Sequence, residues 1–196
     1  MKKIIGIILS GGDSSRMGSP KALLACRGKT FLEHCIDALT HGGILKILVI
    51  TGSAHDEIMK HVDKHSLPCT LIRNPHPDEG QYSSLQTALH SLPDNTDAVI
   101  VHLVDHPLVK KETIDAIVRK YISTTARMII PSCEHRRGHP VLYGSTLFQE
   151  IITTFPEQGA RSIIELHQQE IVYVEVDDPG IKMNIDTKED LEKYCT

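Results

Sequence analysis

The chain has 196 residues, 40% hydrophobic and 23% charged, which is enough apolar material for a sizeable core and the length of one ordinary domain, expected over 1–196. A formal net charge of −4 excludes the broad basic surface of a nucleic-acid binder. No stretch approaches the roughly 18 apolar residues of a membrane span, so neither nucleic acid nor membrane is an expected partner.

Residues 3–9 (KIIGIIL) form a continuous apolar run ending in Ser-Gly-Gly. Such a run suits a strand buried on both faces. It lacks a small-residue cleavage pattern, so it reads as a strand and not as a secretory signal. A loop follows to about residue 29. Thr30-x-x-Glu33 has the spacing of a capping box, and Phe31, Leu32, Cys35, Ile36 and Leu39 make a helical stripe that Gly42-Gly43 ends. Residues 45–51 predict a second strand, and Ile58, Met59 and Val62 a short helix after it. A weaker strand is expected at 69–72.

Beyond the loop NPHPDEG, Ser83-x-x-Gln86 predicts a capped helix with Leu85, Ala88, Leu89 and Leu92 on one face. The strand at 98–104 stops at Asp105-His106-Pro107. Ile114, Ile117, Val118 and Tyr121 then recur at helical spacing. Strands at 127–131 and 139–143 flank the polar turn SCEHRRG. Short helices near 145–153 and 160–168, a strand at 170–176, and a final helix capped by Thr187-x-x-Asp190 complete the chain. This alternation predicts the α/β class: a single Rossmann-like three-layer domain with a mostly parallel, mixed sheet. Ligands of such sheets bind outside the carboxyl ends of the strands.

The five cysteines, Cys26, Cys35, Cys69, Cys133 and Cys195, are odd in number and widely spaced, with no CxxC. That pattern predicts reduced thiols in a cytoplasmic protein, without a disulfide framework or a structural zinc site.

The segment richest in chemistry is the loop after the first strand, LSGGDSSRMGSPK, from Leu9 to Lys21. Gly11 and Gly12 let backbone N–H groups approach an anion. Ser10, Ser14 and Ser15 add hydroxyl donors. Arg16 can fork onto phosphate oxygens, and Lys21 supplies a compact positive charge. The spacing is neither that of a P-loop nor of a dinucleotide fingerprint. By residue type alone this is an anion-binding loop, or a solvated Gly/Ser loop carrying two incidental cations. Asp105 ends an otherwise apolar strand, where a carboxylate needs a partner or solvent. Its plainer role is to cap the turn into the next helix.

GGxSxRMGxxK after an N-terminal strand resembles the nucleotidyltransferases of the MobA-like superfamily, which include molybdenum cofactor guanylyl- and cytidylyltransferases. Pro20-Lys21-Ala22-Leu23-Leu24 is similar to the family's PKxLL, and Gly80-Gln81-Tyr82-Ser83-Ser84-Leu85 to its GxxSSL. Asp105-His106-Pro107 is similar to its DMP. Gly138-His139-Pro140, Gly159-Ala160-Arg161, Asp178-Pro179-Gly180 and IDTKEDL resemble GHP, GAR, DPG and IDTPEDL. These segments lie in family order across residues 4–194.

The resemblance implies a nucleotidyltransferase/glycosyltransferase-A-like fold. It also implies transfer of NMP from an NTP to a phosphorylated acceptor, with release of pyrophosphate. Lys21, Arg16 and Asp105 are then the catalytic set. Leu9, Ser10, Gly11, Gly12, Ser14, Ser15, Arg16 and Lys21 hold the nucleotide, and Ser83 and Ser84 contact its base, ribose or phosphates. Mg²⁺, or Mn²⁺ in its place, is expected on Asp105 together with Asp186 or Asn184. Both alternate with Met183 and Ile185 along an extended stretch, so either can face the metal. His106, which stands where the family has Met, is an acceptor contact or a solvent-facing turn residue. His139 and Arg161 are the other acceptor contacts.

LSGG matches neither the LAGG of guanylyl members nor the LAAG of cytidylyl members. Gly12 leans to the first, whereas PKALL, SSL, GHP, GAR and DPG resemble the second over more residues. The expectation is molybdopterin cytidylyl transfer from CTP. The alternatives are guanylyl transfer from GTP and nucleotidyl transfer to a sugar phosphate or another small phosphate. A reading from another class is a nucleotide-binding accessory module for a molybdenum hydroxylase, which is also the recipient expected for a finished cofactor.

Overall fold

A computed structural model describes residues 2–11, 19–154 and 159–195. The first apolar run forms β1 (Ile4–Ser10). A small hairpin, β2 (Ala25–Cys26) with β3 (Lys29–Thr30), precedes α1 (Phe31–His41). Then come β4 (Ile47–Thr51), α2 (His55–His65), β5 (Thr70–Arg73), α3 (Gln81–His90), β6 (Ala98–Leu103) and α4 (Lys111–Ser123). The second half holds β7 (Met128–Cys133), β8 (Arg136–Arg137), β9 (Val141–Gly144), α5 (Phe148–Thr153), α6 (Ala160–Leu166), β10 (Ile171–Glu175) and α7 (Lys188–Cys195).

The main sheet runs β10-β7-β9-β6-β1-β4-β5, with β8 paired to β7. Neighbours are parallel except β9, which is antiparallel to both β6 and β7, and β8. This is the mixed, mostly parallel sheet the alternation predicts. Strand β1 shows why its sequence is apolar throughout. Ile8 packs into the core beneath α1 and α4, with Phe31, Leu39, Ile114 and Ile117, whereas Ile5, Ile7 and Leu9 pack beneath α3, α5 and α6, with Leu85, Leu89, Ile151 and Ile163. A strand covered on both faces favours an apolar side chain at nearly every position. Each such fully buried aliphatic side chain contributes roughly 1.5–3 kcal/mol.

The capping box forms as its spacing predicts. Glu33 N–H donates to Thr30 Oγ1 at 3.3 Å, and Thr30 N–H donates to the Glu33 carboxylate at 2.6 Å. Thr187 and Asp190 reciprocate in the same way before α7. Ser83, however, does not cap α3. Gly80 is the N-cap, with φ 85°, and Ser83 lies inside the first turn, 2.8 Å from the carbonyl oxygens of both Gly80 and His76. The left-handed backbone at Gly80 starts the helix earlier than the Ser-x-x-Gln spacing implied. Met59 is half exposed, and only Ile58 and Val62 of its predicted stripe are buried. The strand expected from residue 139 begins at Val141.

The expectation of reduced thiols is overturned. Cys26 and Cys195 form a disulfide across 169 residues, and Cys35, Cys69 and Cys133 are free. Helix α7 packs against the β2–β3 hairpin, where Arg27 N–H donates to the Cys195 carbonyl at 3.1 Å. Wide spacing concealed the pair because docking of the chain end, not local sequence, brings the two sulfurs together. Among the described residues, no helix is long and apolar enough to cross a membrane.

Candidate active site

The central strands β1 and β6 run parallel in register, Leu9 opposite Leu103, and Val104 N–H donates to the Leu9 carbonyl at 3.2 Å. Their carboxyl ends therefore deliver Ser10, Gly11 and Asp105 to one place. A cavity of about 100 Å³ opens there, lined by Leu9, Ser10, Gly11, Lys21, Ser84 and Asp105, with Ser53, Ala54 and Gln81 also on its wall. Gly11 is needed for this packing: a Cβ on it would lie 2.7 Å from Ser84 Oγ. Ser84 itself is buried and accepts from Asn74 Nδ2 at 3.0 Å. Ser83 points to Asn74 and the His76 carbonyl and does not line the cavity. Gly12, Ser14, Ser15 and Arg16 lie outside the described residues.

Asp105 and Asp186 meet through tertiary contact. Ile185 N–H donates to the Asp105 carbonyl at 2.8 Å, which brings the 178–186 segment across the strand ends. The Lys21 ammonium then stands between the two carboxylates, 3.4 Å from Asp105 Oδ2 and hydrogen-bonded to Asp186 Oδ1. Burial opposes charge on Lys21, but the carboxylates of Asp186 and Asp105 outweigh it and hold its pKa above the ordinary lysine value. Asn184 Nδ2 donates to Asp186 Oδ2 at 2.5 Å, so its amide nitrogen supports the carboxylate. Asp105 Oδ1 is buried with no hydrogen-bond partner among the described residues. Two carboxylates converging on a cation, one with an orphaned oxygen, are a donor set that fits a hard divalent ion, which needs only one or two carboxylates beside substrate phosphates.

His106 is buried, not solvent-facing as one reading of the turn had it. Its ring packs on His139, with centroids 5.2 Å apart. Nε2 lies 3.9 Å from Asp105 Oδ1, too far for a hydrogen bond. Burial depresses its pKa below the usual histidine value, and burial first, then the neighbouring His106, hold the His139 pKa down to about 3. His139 borders a second, larger cavity of about 610 Å³, with Tyr82, Arg137, Tyr143, Gly159 and Arg161 on its wall. Arg161 is exposed at its edge and pairs with Glu165 at 2.8 Å. The site residues thus divide between two cavities, and Gln81 lines both. Sequence reasoning did not single out Gln81, Ser53 or Arg137, which carry no motif chemistry of their own.

Known proteins resemble this chain over most of its length. The chain is 26% identical to a probable molybdenum cofactor guanylyltransferase of Bacillus cereus (strain AH820), over 97% of this chain and 94% of that one. It is 24% identical to nicotine blue oxidoreductase of Paenarthrobacter nicotinovorans, over 96% and 94%. The fold superposes with a TM-score of 0.76 on Rv0371C of Mycobacterium tuberculosis H37Rv, solved in complex with manganese, at 20% identity over 99% of this chain and 98% of that one. Residues 6–172 match the family model described as the MobA-like NTP transferase domain. With most of its length so matched, the chain belongs to the MobA-like NTP transferase family and is a nucleotidyltransferase.

Proposed function

We propose that this chain, acting as one domain in the cytoplasm, transfers a nucleoside monophosphate from an NTP to the phosphate of molybdopterin. The observation that carries this reading is the Lys21 ammonium between Asp105 and Asp186, on the wall of the cavity that Ser10 and Gly11 also line. Asp105 and Asp186 are the groups that hold Mg²⁺ or Mn²⁺. When bound, the ion supplies positive charge against the reacting phosphates. The Rv0371C complex with manganese supports a divalent ion on this fold.

The acceptor phosphate oxygen attacks the α-phosphorus of the NTP. That P–O bond forms as the bond to the β-phosphate bridging oxygen breaks, and pyrophosphate departs with the electron pair. An acceptor phosphate is largely ionised near neutral pH, so no strong general base is needed. Lys21, Arg16 and the loop N–H groups grip the triphosphate and offset its charge, and positioning dominates the rate. Ser84 faces the nucleotide. His139, with Arg161 and Arg137 on the wall of the larger cavity, receives the acceptor.

CTP is the proposed donor, supported by the PKALL, SSL, GHP, GAR and DPG segments. GTP is the second reading, favoured by Gly12 and by the guanylyltransferase name of the Bacillus cereus relative. Pyrophosphate release is to be measured with each NTP in the presence of molybdopterin. Release with CTP supports the first reading, and release with GTP alone replaces it with the second. Faster turnover with a sugar phosphate overturns the acceptor. NTP binding without pyrophosphate identifies an accessory module.

A further inference from the structure

Asp178 is the one acidic residue among the buried polar side chains of the described residues, at 2% exposure. A carboxylate so placed is tolerated only when its oxygens are bonded. Oδ1 accepts from Gly180 N–H at 3.0 Å. Oδ2 accepts from Lys110 N–H at 2.8 Å and from the Thr113 hydroxyl at 2.7 Å. The last two donors are the N-cap and first turn of α4, the helix that follows Asp105 in the chain.

Helix α4 receives no cap from its own N-cap side chain. A local Ser or Asp at that position is the usual solution. Here the cap comes from a residue separated by 65 and 68 positions from its donors. A remote cap does what a local one does not: it locks two segments together. Gly180 completes the lock, since a Cβ there would lie 2.3 Å from the Leu108 carbonyl oxygen. Beyond it, the Ile181 carbonyl accepts from His139 N–H at 2.9 Å and Ile185 N–H donates to the Asp105 carbonyl at 2.8 Å. The next residue is Asp186.

We propose that Asp178 is a positioning residue for nucleotidyl transfer. Its buried carboxylate clamps the 178–186 segment to α4, so that Asp186 faces Asp105 across Lys21 while His139 is held on the wall of the acceptor cavity. This rests on the assignment of Asp186 as a ligand of the divalent ion.

The test is Mn²⁺ binding to the full chain without nucleotide, followed by the paramagnetic signal of free Mn²⁺, in wild type, D178N, D186N and the double variant. Melting curves check that each is folded. In D178N the Asn oxygen still accepts from α4, but its amide opposes Gly180 N–H. Loss of such a supporting partner weakens metal affinity by roughly 10-fold or more. On a D186N background the same substitution changes affinity by less than about 2-fold, because its route of action is gone. Wild-type affinity in folded D178N, or a loss that persists undiminished on D186N, overturns this inference alone. Wild-type affinity in D186N overturns the metal assignment as well. Should D178N fail to fold, T113V removes one donor and carries the test: weaker Mn²⁺ binding supports the clamp, and unchanged binding overturns it.

Discussion

His102 lies on β6 opposite Ile8 with no exposed surface. Nδ1 is 2.9 Å from the Leu103 carbonyl oxygen, so Nδ1 carries the proton, and buried Nε2 has no partner among the described residues. Burial first, then the neighbouring His106, hold its pKa down to about 3 against an ordinary 6.5. The folded protein therefore refuses a proton that the unfolded chain accepts. Stability from this residue is complete above about pH 6.5 and is lost progressively as the pH falls from there towards about 3. At about 1.4 kcal/mol per pH unit, some 2.5 units of acidification cost about 3 kcal/mol by pH ~4. That is a large share of the roughly 5–15 kcal/mol that holds a domain folded. H102L removes both the proton site and the orphaned nitrogen. Urea unfolding of wild type and H102L at steps between about pH 7 and pH 4 reads the difference directly. The advantage of H102L should grow by about 3 kcal/mol over that range. Stability curves that stay parallel would refute the argument.

D105A should lose at least roughly 100-fold in turnover, about 2.7 kcal/mol of barrier, while its melting curve remains that of a folded protein. Near-wild-type kinetics in saturating Mg²⁺ would remove Asp105 from the chemistry. K21A should raise the KM for NTP or slow the chemical step, as steady-state kinetics with varied NTP will reveal; if both constants are unchanged, Lys21 is no part of the site. C195S opens the loop closed by the disulfide across 169 residues, and removal of a native disulfide typically costs about 2–5 kcal/mol of stability. Denaturant melts of wild type under non-reducing conditions and of C195S measure it, and coincident midpoints would contradict a formed bridge.

The elements and class of this protein were largely legible in its sequence. The apolar run of β1 announces a strand covered on both faces, and Thr30-x-x-Glu33 and Thr187-x-x-Asp190 announce their helices. In each case the determining forces act within a few residues of chain. Ser83-x-x-Gln86 misled because a positive-φ glycine upstream can open a helix without any side-chain cap. The loop from Leu9 to Lys21 reads as an anion site by composition alone, and Gly12, Ser14, Ser15 and Arg16 of that reading lie outside the described residues.

What the sequence determined by itself is thus the α/β alternation, the family, and the residue types able to meet phosphate and metal. Tertiary structure alone decided which of those residues meet. It set Asp186 and not Asn184 beside Lys21, buried His106 against His139, turned Ser83 away from the cavity that Ser84 lines, and joined Cys26 to Cys195. The reason is physical. Local periodicity records which face of an element is buried. The convergence of Asp105 with Asp186 depends instead on a backbone hydrogen bond from Ile185 and a buried carboxylate at Asp178, each made between segments that nothing in the intervening sequence marks as neighbours.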